Sequence, residues 1–157
     1  MKISLILNGK TEDNYILKGF SVYEKRLKHY LAFEIIVIPA LKNTKALSIE
    51  QQKKKEGELI FKEIQSSDKL ILLDENGKEF KSTEFADFVQ KEMNSGIKNL
   101  VFVVGGPYGF SDEVYKRANG KISLSKMTFS HQMVRLFFVE QLYRAMTILK
   151  NEPYHHL

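Results

Sequence analysis

The sequence predicts an α/β fold, with a mostly parallel sheet and helices on both faces. Three observations carry that prediction. Short β-rich runs alternate with helical patterns from end to end, in five units. The run Asn99–Val104 is almost continuously apolar, as a parallel strand covered on both faces must be. No repeat, linker or low-complexity stretch interrupts the alternation, so residues 1–157 read as one domain with a core of its own.

Each element has a local reason. Ile3–Leu7 is a first strand, ended by Asn8-Gly9. Ile16, Phe20, Tyr23, Leu27 and Tyr30/Leu31 follow at steps of 4, 3, 4 and 3, which keep one helical face apolar for four turns. Phe33–Ile38 is a second strand, stopped by Pro39, and Lys42–Leu47 is a polar connection. Ser48 and Gln51 have capping-box spacing, opening a helix that carries Leu59, Ile60 and Ile64, with Lys53-Lys54-Lys55 on its solvated face. Lys69–Leu73 is a third strand, and Asp74-Glu75-Asn76-Gly77 reads as a turn.

Ser82 or Thr83 is suited to cap the next helix, with Phe85, Phe88, Val89 and Met93 inward and Gly96 closing it. The strand Asn99–Val104 runs into Gly105-Gly106-Pro107-Tyr108-Gly109, and a short helix capped by Ser111 follows. Ile122–Ser125 is a fifth strand. Met133–Leu149 is a long helix with Val134, Phe137/Phe138, Gln141/Leu142, Ala145 and Leu149 on one side. Asn151-Glu152-Pro153 ends it.

Composition excludes several classes. With 43% hydrophobic and 27% charged residues and only 3 Pro, the chain is globular rather than disordered. Its apolar runs are too short to span a membrane, and Met1–Leu7 is too short for a signal-peptide core. The absence of Cys excludes disulfides, a thiolate nucleophile and a Cys-zinc site, and fits a reducing cytoplasm. The net charge of +5 is concentrated: residues 115–157 hold seven Lys and Arg against Glu140 and Glu152, together with three of the four His. That bias reads either as an anion-binding face or as a basic surface without a partner.

In open parallel sheets, ligands bind beyond the C-terminal ends of the strands. Leu72-Leu73-Asp74, Gly105–Gly109 and Leu124–Phe129 would all reach such an edge. The glycine loop lacks the spacing of a P-loop or a dinucleotide fingerprint, and is either a tight turn or a cradle for a flat ligand. Ser125 and Thr128 among Leu124, Met127 and Phe129 suit an adenine or thioether ligand, or simply join the core. His131 and Arg135 share a face of the last helix, and Glu140 and Arg144 repeat that spacing as an ion pair or as functional groups. No residue set has metal-ligand spacing, and no nucleophile elbow exists.

These runs, with Glu140-Gln141-Leu142-Tyr143-Arg144-Ala145 and Pro153-Tyr154-His155, resemble the RlmH family: small SPOUT-class methyltransferases acting on pseudouridine in large-subunit ribosomal RNA. The resemblance spans essentially the whole chain, through Tyr23–Leu27 and Lys55-Glu56-Gly57. It implies a C-terminal trefoil knot, an exception to the rule that chains do not thread themselves. It implies S-adenosylmethionine bound by Leu73, Gly105, Gly106, Leu124, Ser125, Lys126, Met127, Thr128 and Phe129, and no metal.

It also implies a cytoplasmic homodimer in which the tail of one subunit completes the other's site. The reaction would be methyl transfer to N3 of a pseudouridine in the intersubunit stem-loop of assembled ribosomes. Glu140, Arg144, Tyr154 and His155 would surround the base, with His131 nearby. Arg144 and Arg135 would contact RNA, Tyr154 would position the base, and His155 or Glu140 would handle the proton. Many members carry Pro where this chain has Ser130, and a serine there is able to cap the helix instead. Two rival readings are a non-enzymatic ribosome- or RNA-binding α/β protein and an α/β enzyme acting on a free nucleotide or small acid.

Overall fold

The computed structural model describes residues 1–156; Leu157, at the end of the tail, lies outside the described residues. The elements are β1 (Lys2–Asn8), α1 (Asn14–Leu27), β2 (Ala32–Ile38), α2 (Ile49–Glu63), β3 (Lys69–Glu79), α3 (Ser82–Asn94), β4 (Asn99–Val104), α4 (Asp112–Arg117), β5 (Gly120–Ser123) and α5 (Met133–Leu149). The strands form a five-stranded sheet in the order β2-β1-β4-β3-β5, with every pairing parallel.

Alternation along β4 shows why the run had to be apolar throughout. Leu100, Phe102 and Val104 face a core built with α1, α3 and α5, where Phe102 and Phe138 rings lie 4.8 Å apart. Val101 and Val103 face the opposite core, with Ile60 of α2 and Val114 of α4. A strand with both faces covered favours apolar side chains on each of them. The long helix α5 packs along α1 and α3, so its first turn stands beside the end of β1.

The capping box is present: Ser48 Oγ accepts from Gln51 N, and Gln51 Oε1 accepts from Ser48 N. Ser111 caps α4 by accepting from Val114 N. Ser130 does the same for the turn leading into α5, accepting from Met133 N at 3.1 Å. A serine hydroxyl thus serves at a position where a proline ring would fix the backbone instead.

Several boundaries depart from expectation. Asp74-Glu75-Asn76-Gly77 is not a terminating turn but an irregularity inside β3. Ile122 pairs with Leu73 before it and with Lys78 after it, so β3 resumes its ladder with β5. The Asx bond from Asn76 N to Asp74 Oδ1 is the local signal that suggested a turn. Gly77 is required by close approach, since a Cβ there would stand 2.6 Å from backbone atoms of Ile122.

The helix α1 stops at Leu27, and Tyr30 and Leu31 reach the core from the following turn. The cap of α3 is Lys81, whose N–H donates to Glu84; Ser82 Oγ instead donates to Gln141 of α5. Met93 is exposed rather than inward. β5 starts two residues earlier than expected, at Gly120, and Lys53 lies against Glu50 while Lys54 and Lys55 face solvent. No helix among the described residues is long and apolar enough to cross a membrane.

Candidate active site

A cleft of about 610 Å³ opens at the C-terminal edge of β3, β4 and β5. Val104 ends β4, Leu73 is the last β3 residue paired with β4 before the irregularity, and Ile122 lies near the end of β5; together they give the cleft an apolar floor. Of the residues expected to hold the donor, Leu73, Gly105, Gly106, Leu124, Ser125, Met127, Thr128 and Phe129 line it, and so does His131. Lys126 does not: it is exposed and off the cleft wall.

The loop 123–129 is held by its own hydroxyls, with Ser123 Oγ donating to Ser125 O and Ser125 Oγ accepting from Met127 N. The glycine loop turns through a bond from Gly109 N to Gly106 O. Gly106 is tightly enclosed, so a side chain there would have to displace its neighbours. A Cβ there would lie 2.7 Å from Glu56 Oε2 and 2.8 Å from Asn8 Nδ2, both packed behind the loop.

Residues absent from the expected set also line the cleft: Glu75, Asn76, Phe110 and Tyr115. Tyr115 donates a short hydrogen bond to Asp74, and burial together with that carboxylate pushes its phenol up to about 12. Asp74 was visible as a strand-end residue, but nothing in the spacing of α4 marks Tyr115 as a neighbour.

Glu140, Arg144, Tyr154 and His155 form a second cluster, none of them on the cleft wall. Arg144 Nη2 donates to Glu140 Oε1 at 2.6 Å, and Tyr154 OH donates to the same oxygen at 2.9 Å. Gln141 Nε2 donates to Glu140 Oε2 at 2.7 Å, so both carboxylate oxygens are engaged. The Arg144 guanidinium also covers the Tyr154 ring, 4.8 Å from its centroid.

Arg144 Nη1 lies 3.2 Å from His155 Nδ1. A guanidinium only donates, so Nδ1 is the acceptor in this contact. Glu140 raises the pKa of Arg144, while burial, Tyr23 and Glu140 hold the Tyr154 phenol well above its ordinary value. Tyr154 is therefore a neutral donor throughout the physiological range. Along α5, Glu140 and Arg144 lie six and ten residues beyond Val134 of the cleft wall, roughly 9 and 15 Å at 1.5 Å per residue. Sequence spacing joined Glu140 to Arg144, and the fold brings the tail to them.

Arg135 corrects a further expectation. It is 1% exposed and its N–H groups are spent on the protein, donating to Asn8 O, Gly9 O, Thr11 Oγ1 and His131 O. It has no surface to offer RNA. Arg117 likewise donates to Gln65 O and Asp68 O. Two of the seven C-terminal cations are therefore structural, and the charge excess exaggerates the anion-binding face.

The sequence profile described as "Predicted SPOUT methyltransferase" matches residues 1–155. Curated relatives cover the chain at full length. The ribosomal RNA large subunit methyltransferase H of Christiangramia forsetii is 63% identical over 156 residues, 99% of each chain. Proteins of the same name from Flavobacterium psychrophilum and Cytophaga hutchinsonii are each 64% identical over 156 residues, covering 99% of this chain and 99% and 100% of theirs.

Proposed function

The chain belongs to the SPOUT methyltransferase family, and from that premise we propose that it transfers a methyl group from S-adenosylmethionine to N3 of a pseudouridine in large-subunit ribosomal RNA. The acceptor proposed is the intersubunit stem-loop of an assembled ribosome in the cytoplasm. Membership sets aside the non-enzymatic reading. The observation that carries the donor assignment is the cleft itself. Its 610 Å³ lies within the range of small-molecule pockets.

The residues present fit such a donor. Apolar Leu73, Ile122, Leu124 and Phe129 suit an adenine, and the Gly105-Gly106 backbone admits close approach. Glu75 adds a carboxylate to the lining, a group able to accept from ribose hydroxyls or to balance a cationic sulfonium, while both Asp74 oxygens are engaged by Asn76 N and Tyr115 OH. When bound, the donor supplies an already activated methyl group. The protein must then align the acceptor and handle the N3 proton.

Glu140, held by three donors, fits an orienting role, fixing Arg144 and Tyr154. Arg144 is the RNA anchor and Tyr154 the base-positioning group. His155, held at one ring nitrogen, handles the proton. Because this cluster is off its own chain's cleft, we assign it to the cleft of a second copy. Exposed Tyr15, Leu17 and Val22 of α1 and Phe137 of α5 offer apolar surface for such a homodimer. A C-terminal trefoil knot belongs to the same reading.

The test is labelled-methyl transfer to ribosomes lacking the modification, with the methylated base mapped by mass spectrometry. Transfer to a single pseudouridine is expected, with none to free nucleosides. Unchanged single-turnover rates in both Arg144→Ala and His155→Ala would overturn the assignment of the second cluster. A fully active monomer on gel filtration at low micromolar concentration would overturn the composite site.

A further inference from the structure

We infer that Arg135 is a positioning residue of the donor cleft, a single buried guanidinium that sets the spacing between its two walls. The inference rests on the cleft being the donor site. One wall is the glycine loop, whose Gly106 lies against the side chain of Asn8. The other is the segment leading into α5, where Ser130, His131 and Val134 face the cleft.

Arg135 spans the two. Its Nη2 donates to Asn8 O at 2.8 Å, at the end of β1, and its Nε donates to His131 O at 3.1 Å. Nη1 adds Gly9 O at 2.9 Å and Thr11 Oγ1 at 3.0 Å, fixing the chain that leaves β1. Gln132 backs this bridge from outside, accepting from Glu12 N and donating to Lys10 O.

The chemistry is costly for a merely structural link. Among the described residues the guanidinium has no carboxylate within ion-pair distance; burial disfavours its charge, and Glu12, too far for an ion pair, offsets that only in part. A buried cation without a directly paired counter-ion is a poor source of stability compared with an apolar side chain of similar volume. What it provides is direction. A planar fork with fixed donor angles holds three carbonyls and a hydroxyl in one geometry, which an apolar side chain does not do. A change at Arg135 therefore shifts the backbone of Asn8 relative to that of His131, and with them the two surfaces between which the donor lies.

The test uses the full chain. Calorimetric titration of S-adenosylmethionine into Arg135→Lys and Arg135→Met is compared with thermal unfolding of the same samples. Donor Kd is expected to rise at least tenfold in Arg135→Met, with Arg135→Lys intermediate because an ammonium reaches only part of the set. In steady state the donor KM should rise while the ribosome KM stays unchanged. Thr11→Val, which removes one contact and leaves the core intact, should weaken donor binding about threefold. A structural role alone lowers the unfolding temperature and leaves the Kd of the folded protein as it was. A folded Arg135→Lys or Arg135→Met with the parent Kd overturns the proposal. If neither folds, an unchanged Kd in Thr11→Val overturns it. No donor binding by the parent chain defeats the donor reading itself, and this inference with it.

Discussion

Gly77→Ala places a methyl group where the backbone of the neighbouring strand already lies. The added Cβ would stand 2.6 Å from both C and N of Ile122 and 2.7 Å from C of Lys121. Ordinary contact begins at 3.4 Å, so β3 and β5 must separate by about 0.8 Å at this point. These are backbone atoms of a paired strand and cannot rotate aside as a side-chain tip does. Overpacking of this kind costs about 1–3 kcal/mol, and losing one ladder hydrogen bond of β5 adds about 1 kcal/mol. The expected loss is about 3 kcal/mol, which lowers Tm by roughly 6–12 °C for a chain of this size.

The natural control is Gly120→Ala in β5, whose Cβ meets only Ile71 Cδ1, at 3.3 Å, a methyl group that is able to give way. Urea midpoints and calorimetric Tm values for the two variants should differ clearly. A Gly77→Ala protein within 1 °C of the parent, on the ~1 °C precision expected of such scans, would refute the claim that this contact sets the spacing of β3 and β5.

Three further outcomes are expected. Ser48→Ala removes the hydroxyl half of the capping box of α2 and should cost about 1 kcal/mol in a urea titration, with no change in donor affinity. Tyr154→Phe loses its bond to Glu140 and should slow single-turnover methyl transfer about tenfold at unchanged donor Kd, the kinetic equivalent of one hydrogen bond. Tyr115, with its phenol raised to about 12, contributes stability that is whole below the ordinary phenol value of about 10 and lost as the pH climbs through its folded value. The urea midpoint should therefore fall less between about pH 10 and 12 in Tyr115→Phe than in the parent, and an equal fall would remove Tyr115 as the source.

What was legible in the sequence is what local chemistry decides. The apolar run of β4, the Ser48–Gln51 box and the 133–149 span of α5 each depend on neighbours within a few residues, and each stands where expected. The most consequential misreadings share one cause, a partner distant in sequence. Asx-and-glycine chemistry is the same in a turn and in a strand irregularity, and only Ile122, some 45 residues away, decides between them at Gly77. Arg135 has the spacing of a surface cation, yet the end of β1 buries it from 126 residues away. The apolar period of α1 continues through Tyr30 and Leu31 because both reach the core, although the backbone has already left the helix. Most of the lining of the cleft was legible because the loops that follow the strands are local features, whereas Tyr115 was not.

The strand order has a kinetic consequence. Of the five strands β1 is synthesised first, and it ends up between β2 and β4, with Ile3 beside Leu100. Its partner β2 is available almost at once, but β4 follows nearly a hundred residues later, roughly 5–20 s at ordinary rates of synthesis. Throughout that interval one edge of a strand destined for complete burial stands open beside its α1–β2 unit. Closing so distant a pair places refolding among the slow, non-local classes and makes its yield fall with protein concentration. The sheet of the finished protein is thus assembled around a strand that has waited longest for its neighbour.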